Sequence, residues 1–251
     1  MVRQPGFPQD ITPLCPTANS RCNGGGGALG IEEHLYSAVV TFPAGCNNIT
    51  MNYTLCCRNN AITTLAGPGG QSIVCQASLN NTLSPQDNSP QFLNPPSAFL
   101  CRNEPYFFNN GGFDPDGDSL RYTLVPCLRS TTQNVNYAGG FNGTLPLTVA
   151  GGAAGFNFDA ATGALSFTPT AVQVGVICVL VEEYRNGVLI GSTRRDMQFR
   201  VINCNNQLPI ASGVDPFTGL AFVNDTISAC ASQQFCFDII GADPNGNNVL
   251  M

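Results

Sequence analysis

The sequence predicts an all-β protein built of tandem Ig-like β-sandwich domains stabilised by disulfides. Three observations carry that prediction. Short runs alternate apolar and polar residues at period two. Turn-forming residues are dense, with 27 Gly, 18 Pro and 26 Asn in 251 residues, so long helices have nowhere to form. Twelve Cys sit on a chain that is 10% charged and has no Lys, a composition suited to an oxidising exterior.

In chain order, residues 1–92 read as an N-terminal Cys-rich β-domain. Leu35–Pro43 (LYSAVVTFP), Asn48–Cys57 (NITMNYTLCC) and Gln71–Leu79 (QSIVCQASL) mix β-branched and aromatic residues with polar ones, which predicts strands of one small antiparallel sheet. Asn80–Pro96 is rich in Asn, Ser and Pro, cannot continue a central strand, and reads as a linker or edge segment. Residues 93–206 read as an Ig-like sandwich with strands at Tyr106–Asn109, Leu120–Pro126 and Gly163–Thr168. Its clearest feature is a hairpin of Gly175–Arg185 and Val188–Asn203. The turn, Asn186-Gly187, is the pair type I′ favours because both central residues take positive φ. On the return strand Met197, Phe199 and Val201 share one face and Gln198 and Arg200 the other, so one face is expected in the core and one in water. Cys101, Phe108, Gly112, Asp114, Pro115 and Gly117 recur as Cys230, Phe237, Gly241, Asp243, Pro244 and Gly246. Residues 207–251 therefore read as the start of a further, incomplete repeat. It is either a piece of a longer array or a half-domain completed by a strand from a neighbouring molecule.

The cysteines are Cys15, Cys22, Cys46, Cys56, Cys57, Cys75, Cys101, Cys127, Cys178, Cys204, Cys230 and Cys236. All are disulfide candidates, with some buried free thiols as the alternative. No Cys-x-x-Cys pair occurs and His34 is the one imidazole, which argues against structural zinc. On a strand the side chains of Cys56 and Cys57 would point to opposite faces, so each is expected to find a different partner. A short turn would let Cys230 pair with Cys236. Phe107 stands at the counterpart of Cys236, so Cys101 needs another partner.

Asp114-Pro115-Asp116-Gly117-Asp118 sets three carboxylates at alternate positions around a glycine. Oxygen ligands on a tight loop suit Ca²⁺, and the spacing is that of the first half of an EF-hand loop without its distant Glu. The later copy offers Asp243, Asn245 and Asn247, and less charge predicts weaker binding there. The alternative is plain turn chemistry between two strands.

Other functions find less support. A net charge of −6 leaves no basic surface for nucleic acid. The longest strongly apolar run, Val174–Val181, falls far short of the roughly 20 residues of a spanning helix. Met1–Gly6 has no apolar leader, so a secreted form is expected to have lost one or to be a piece of a longer chain. No nucleophile or phosphate-loop motif occurs, and Gly24–Gly27 has no following Lys. His34 beside Glu32 and Glu33 reads as a solvated residue. The neighbours Glu182 and Glu183 face opposite ways on a strand and cannot cooperate on one atom. Phe107, Tyr122, Tyr137 and Tyr184 could form a sugar-stacking platform, although a small sandwich needs most of its aromatics inside. The chain is expected not to be an enzyme.

Several blocks carry a resemblance. Ile11-Thr12-Pro13-Leu14-Cys15, Gly30-Ile31-Glu32, Phe42-Pro43-Ala44-Gly45-Cys46, Cys56-Cys57-Arg58-Asn59-Asn60-Ala61-Ile62-Thr63, Asn88-Ser89-Pro90-Gln91-Phe92 and Glu182-Glu183-Tyr184-Arg185-Asn186-Gly187 resemble the repeated extracellular regions of large gliding-motility adhesins of Bacteroidota. Asp114 to Val201, with Phe158-Asp159-Ala160-Ala161-Thr162-Gly163 and Phe167-Thr168-Pro169, is similar to dystroglycan-type cadherin-like domains. In those the Asp-x-Asp-Gly-Asp turn is often a calcium site. The resemblance implies type IX secretion, a place on the exterior of the bacterial outer membrane, and a role as a stalk or filament. The expected partners are neighbouring repeats, other surface subunits and surface glycans. Asp118-Ser119-Leu120 and Asp225-Thr226-Ile227 resemble the O-glycosylation signal of that phylum, which implies modification at Ser119 and Thr226.

Overall fold

In the computed structural model, which describes residues 1–12, 19–25, 30–43, 45–204, 210–215 and 238–242, strands alternate with loops. The helical elements among the described residues are three short 3-10 turns, at Arg21–Asn23, Pro68–Gly70 and Gly152–Gly155. No helix there is long and apolar enough to cross a membrane. The chain divides once, into Met1–Ile202 and Asn203–Met251.

The first unit opens with β1 (Val2–Arg3), β2 (Gln9–Asp10), β3 (Glu32–Glu33) and β4 (Tyr36–Ser37), where β1 pairs with β4 and β2 with β3. Then come β5 (Ile49–Leu55), β6 (Ile73–Leu79), β7 (Gln91–Phe92), β8 (Ser97–Cys101), β9 (Tyr106–Phe108), β10 (Gly112–Phe113) and β11 (Ser119–Val125). The unit ends with β12 (Asn157–Phe158), β13 (Leu165–Phe167), β14 (Gln173–Arg185) and β15 (Val188–Ile202). The main sheet runs β11-β14-β15-β6-β5, all antiparallel, with β8 parallel to β15. A second sheet runs β12-β13-β9, and β7 pairs with β10. In the second unit β16 (Ile210–Asp215) pairs antiparallel with β17 (Asp238–Ala242).

The hairpin forms as its turn chemistry dictates, with φ of 53° at Asn186 and 78° at Gly187. Phe199, Met197 and Val201 of β15, Ile177, Val179 and Val181 of β14 and Tyr122 of β11 pack against Phe108, Leu165 and Phe167 of the smaller sheet. That makes a two-layer sandwich, with Phe199 in aromatic contact with Tyr106, Phe108 and Phe167. Gly163 (φ 70°) is required where it stands, because a Cβ would lie 2.5 Å from the buried Tyr122 ring.

β14 is buried on both faces. Val174, Val176 and Cys178 point away from the sandwich core into a second cluster with Ile62, Leu65, Cys127 and Val135. Its unbroken run Val176-Ile177-Cys178-Val179-Leu180-Val181 is that of a strand covered twice. The loops 59–66 and 127–137 provide the second cover, tied by Thr63 N donating to Val174 O at 2.9 Å and Ala66 N to Asn136 O at 2.8 Å.

The sheet also corrects the expected boundary at residue 92. Hydrogen bonding on one side of β15 is satisfied by β14 and on the other by β6, where Gln76–Leu79 pairs with Arg194–Gly191. Strands read as two domains, 1–92 and 93–206, thus share one sheet, stitched further by Ser78 Oγ and Ser192 Oγ at 2.7 Å. Asn80–Pro96, read as a linker or edge, carries β7. Of Leu35–Pro43, β4 takes Tyr36–Ser37 alone.

Cys56 and Cys57 are bonded to each other across a cis peptide, which corrects the expectation of separate partners. Side-chain alternation holds only inside a strand, and β5 ends at Leu55; the cis bond then brings the two Cα atoms to 3.0 Å. Cys127 and Cys178 form a buried bridge with Cα atoms 5.1 Å apart. Cys101 and Cys204 are both disulfide-bonded. Cys22, Cys46 and Cys75 are free thiols, which corrects their candidacy for bridges. Cys15, Cys230 and Cys236, with the expected 230–236 pair, lie outside the described residues.

Candidate functional site

The acidic turn lies between β10 and β11, where antiparallel pairing of β11 with β14 sets Ser119 opposite Tyr184 and Leu120 opposite Glu183. Asp114 Oδ1 closes the turn by accepting from the amides of Asp116 (2.8 Å) and Asp118 (3.1 Å), with Gly117 at φ 83°. Asp116 turns the other way. Its Oδ2 accepts from Asn88 N (2.8 Å) and its Oδ1 from Asn88 Nδ2 (2.9 Å).

Arg185, the last residue of β14, collects the rest. Its Nε donates to Asp118 Oδ1 at 2.9 Å and Nη2 to Asp118 Oδ2 at 2.5 Å, a bidentate geometry. Nη2 also reaches Asp87 Oδ1 (3.1 Å) and Asp116 Oδ2 (3.4 Å), and Nη1 donates to Ser84 Oγ (2.7 Å) and Gln86 O (3.2 Å). The Asn80–Pro96 segment is therefore pinned over the turn through Ser84, Gln86, Asp87 and Asn88. Hydrogen bonds from Arg185 hold the Asp118 carboxyl below its ordinary range, and those from Asn88 do the same for Asp116.

Glu183 is the outlier. It is 1% exposed, opposite Gly191, whose missing side chain leaves room for the carboxylate. None of the hydrogen bonds of Arg185 goes to Glu183 or to Asp114. Glu183 Oε1 and Asp114 Oδ2 are buried without a hydrogen-bond partner. Burial, then the charges of Asp87 and Asp114, and then a hydrogen bond shared with Asp118 push the Glu183 carboxyl up to about 8.

The structure thus splits the expected ligand set Asp114, Asp116, Asp118. One oxygen each from Asp114, Asp118 and Glu183 lies within 4.8 Å of the others, and Asp87, Asp116 and Asp118 form a separate group at Arg185. Sequence reasoning missed Glu183, Arg185 and Asp87. The missing step was the register: pairing β11 with β14 carries Glu183 to the base of the turn. Asp243, Asn245, Asn247 and Thr226 lie outside the described residues. Ser119 is exposed at the start of β11.

The other candidates scatter. Tyr122 is 2% exposed in the core, and Tyr137 is half-buried with its hydroxyl accepting from Cys127 N. Phe107 is 66% exposed, beside an open groove of about 420 Å³ lined by Tyr106, Asn157, Ser166, Phe167 and Thr168. His34 is exposed, with Nε2 3.2 Å from Glu32 Oε2. Elsewhere Arg58 makes a bidentate pair with Asp196 (3.0 and 2.5 Å), the two side chains 2% and 6% exposed. Arg195, lowered to about 10 mainly by burial, donates to Asn110 Oδ1 at 2.8 Å and stacks 4.5 Å over the Phe92 ring.

No family model and no curated protein matches the sequence. Two solved structures are similar in part. One is a Bacteroides fragilis protein named as a candidate alpha-galactosidase, with 12% identity over 46% of this chain and 18% of that one, at a TM-score of 0.27. The other comprises immunoglobulin domains 1–4 of Sidekick-1, with 8% identity over 61% of this chain and 40% of that one, at a TM-score of 0.24. Both chains extend well beyond the matched part, and at these scores the likenesses carry no argument. The all-β, disulfide-bearing architecture rests on the strands and bridges described above.

Proposed function

We propose that this chain is a load-bearing, non-enzymatic segment of an extracellular stalk or filament of a bacterial surface adhesin, serving attachment or gliding. The observation that carries the reading is the cross-bracing of one hairpin. β14 and β15 are stapled to distant segments by the Cys127–Cys178 bridge, by Arg58–Asp196 and by the bonds of Arg185 to Ser84, Asp87 and Asp118. Such links resist the sliding of strands under shear without offering a reaction centre. Neighbouring repeats or other surface subunits are the partners this role requires, with Ca²⁺ at the acidic turn as a further brace.

The test is made on cells that carry the protein. Antibody to residues 45–202 should label intact cells, and deletion of the gene should abolish attachment or gliding. Labelling confined to permeabilised cells would overturn the reading. A second reading, a carbohydrate-binding module, is favoured by exposed Phe107, because an aromatic ring beside the Asn157, Ser166 and Thr168 polar groups can stack on a sugar and bond its hydroxyls. Glycan-array binding lost in Phe107→Ala would support it, and silence on the array would remove it. Strand exchange into a polymer, the third expectation, would be seen as fibres by electron microscopy.

A further inference from the structure

The two outer strands of the main sheet end in different ways. β11 carries Arg121, and its outer side is partly occupied by Ala160 O, which accepts from Tyr122 N at 2.9 Å. A charge and a covering segment are common means of closing a sheet edge. β5 has neither. Its seven residues, Ile49–Leu55 (ITMNYTL), include no charge, no Pro and no Gly, and all but Ile49 are exposed. Among the described residues no backbone hydrogen bond reaches its outer side. Its apolar face is open too. Register through β6 puts Met51, Tyr53 and Leu55 on the side of the sheet where Met197 and Phe199 of β15 are core, yet they are between 38% and 49% exposed. The Tyr36 ring, stacked 6.5 Å from that of Tyr53, widens the patch.

We propose that β5 is a docking edge for a second copy of this chain, the two β5 strands pairing antiparallel about a two-fold axis at Asn52. The strand has the same character in both directions from Asn52: a large apolar residue, then Thr, then an aliphatic. In a pair centred there Met51 faces the partner's Tyr53, Thr50 the partner's Thr54 and Ile49 the partner's Leu55. These are thioether–aromatic, Thr–Thr and aliphatic pairs, each favourable across strands. A two-fold perpendicular to the sheet keeps like faces together, so the two apolar stripes join on one side. Charge selects the occupant. The chain has a net charge of −6, which sets two copies against each other over most of their surface. Residues 35–86 hold a single charged side chain, Arg58, and it is buried against Asp196. On this neutral stretch an acidic chain meets its copy without repulsion, whereas a strongly charged partner would find nothing to pair with. The contact joins two chains side by side and holds whether or not they belong to a stalk.

Sedimentation equilibrium of the full chain over a concentration series tests it. Wild type is expected to move from the mass of one chain towards that of two by about 1 mM, since a single strand pair is a small interface. Asn52→Lys sets like charges opposite each other at the axis and should weaken association about fivefold or more, as should Asn52→Asp. Mixed together, the two variants should associate again, because Lys then faces Asp. Far-UV circular dichroism establishes that each is folded. Should either fail to fold, Asn52→Cys reads the same register. Oxidised with copper phenanthroline, it should give covalent dimers well above the background of wild type and of Thr132→Cys, exposed in the loop 127–137. A wild-type chain that stays single at that concentration would overturn the proposal and leave β5 to a different protein. Dimers undiminished in both charged variants would place the contact elsewhere and overturn it as well. Fibres in place of dimers would overturn the two-fold. None of these results bears on the labelling of cells, so the stalk reading stands or falls separately.

Discussion

Two regions of the first unit are built from similar β-prone sequence and end in different states. Around β14 and β15, apolar side chains find cover on both sides, and Arg58 and Asp196 are buried as a bidentate pair. Among the described residues up to 43, the strands are two residues long, and Leu35, Val39 and Val40 are exposed, Val39 fully. What holds that region is polar. Asp10 accepts from Thr12 N, Thr12 Oγ1, Ser20 Oγ and Asn23 Nδ2, and Thr12 Oγ1 accepts from Ile31 N. The lesson is that β-propensity makes a strand only where a partner edge and a cover are available.

The largest expected effect tests whether the hairpin region depends on its dry ion pair. Asp196→Ala leaves Arg58 buried without its carboxylate and should cost about 3–5 kcal/mol in urea unfolding, whereas the double change Arg58→Met, Asp196→Leu should recover most of it. A loss under about 1 kcal/mol for the single change would mean that water reaches the pair and that the two regions differ less than drawn.

Next comes the bridge. Cys127→Ala with Cys178→Ala opens a loop spanning 51 residues of sequence and should lower stability by about 2–4 kcal/mol, read from the denaturant midpoint. Reduction of Cys56–Cys57, which closes no loop beyond one peptide bond, should shift the midpoint far less. Equal effects would break the claim that long-range bracing sets this region apart.

The hairpin turn is expected to give a smaller change. Gly187 sits at φ 78° with open space around its missing Cβ, so Gly187→Ala tests backbone conformation with no clash involved. It should cost about 1–2 kcal/mol. No loss would mean that the long ladder, and not the turn, fixes the register.

The sequence made local features plain and left long-range ones hidden. Asn186-Gly187, the alternation of Met197, Phe199 and Val201, and the acidic turn are each written within a few neighbouring residues, and all are present. Pairing of β6 with β15 joins segments more than a hundred residues apart, and no local signal states which edge a strand will choose. Glu183 was read correctly as facing away from Glu182, yet its use depends on β11 and Gly191, which only the register reveals. The Cys56–Cys57 bond escaped because alternation was carried two residues past the end of β5. Leu35–Pro43 was over-read for the opposite reason, since its pattern is that of a strand but just two of its residues find a ladder.

The smallest expected effect sharpens the contrast from the N-terminal side. Hydrogen bonds from Ser20 and Thr12 hold the Asp10 carboxyl below its usual 3.8. A depressed carboxylate stabilises the folded form above its unfolded pKa, and that contribution disappears as pH falls through the lower, folded value. Followed by NMR, the Thr12 amide, which donates to Asp10 Oδ1 at 3.0 Å, should titrate with a midpoint below 3.8. Asp10→Asn should abolish that titration while leaving the urea midpoint of the hairpin region unchanged. A midpoint at or above 3.8 would show the Asp10 cluster to be open in solution. A shift in the urea midpoint would instead show that the two regions unfold as one.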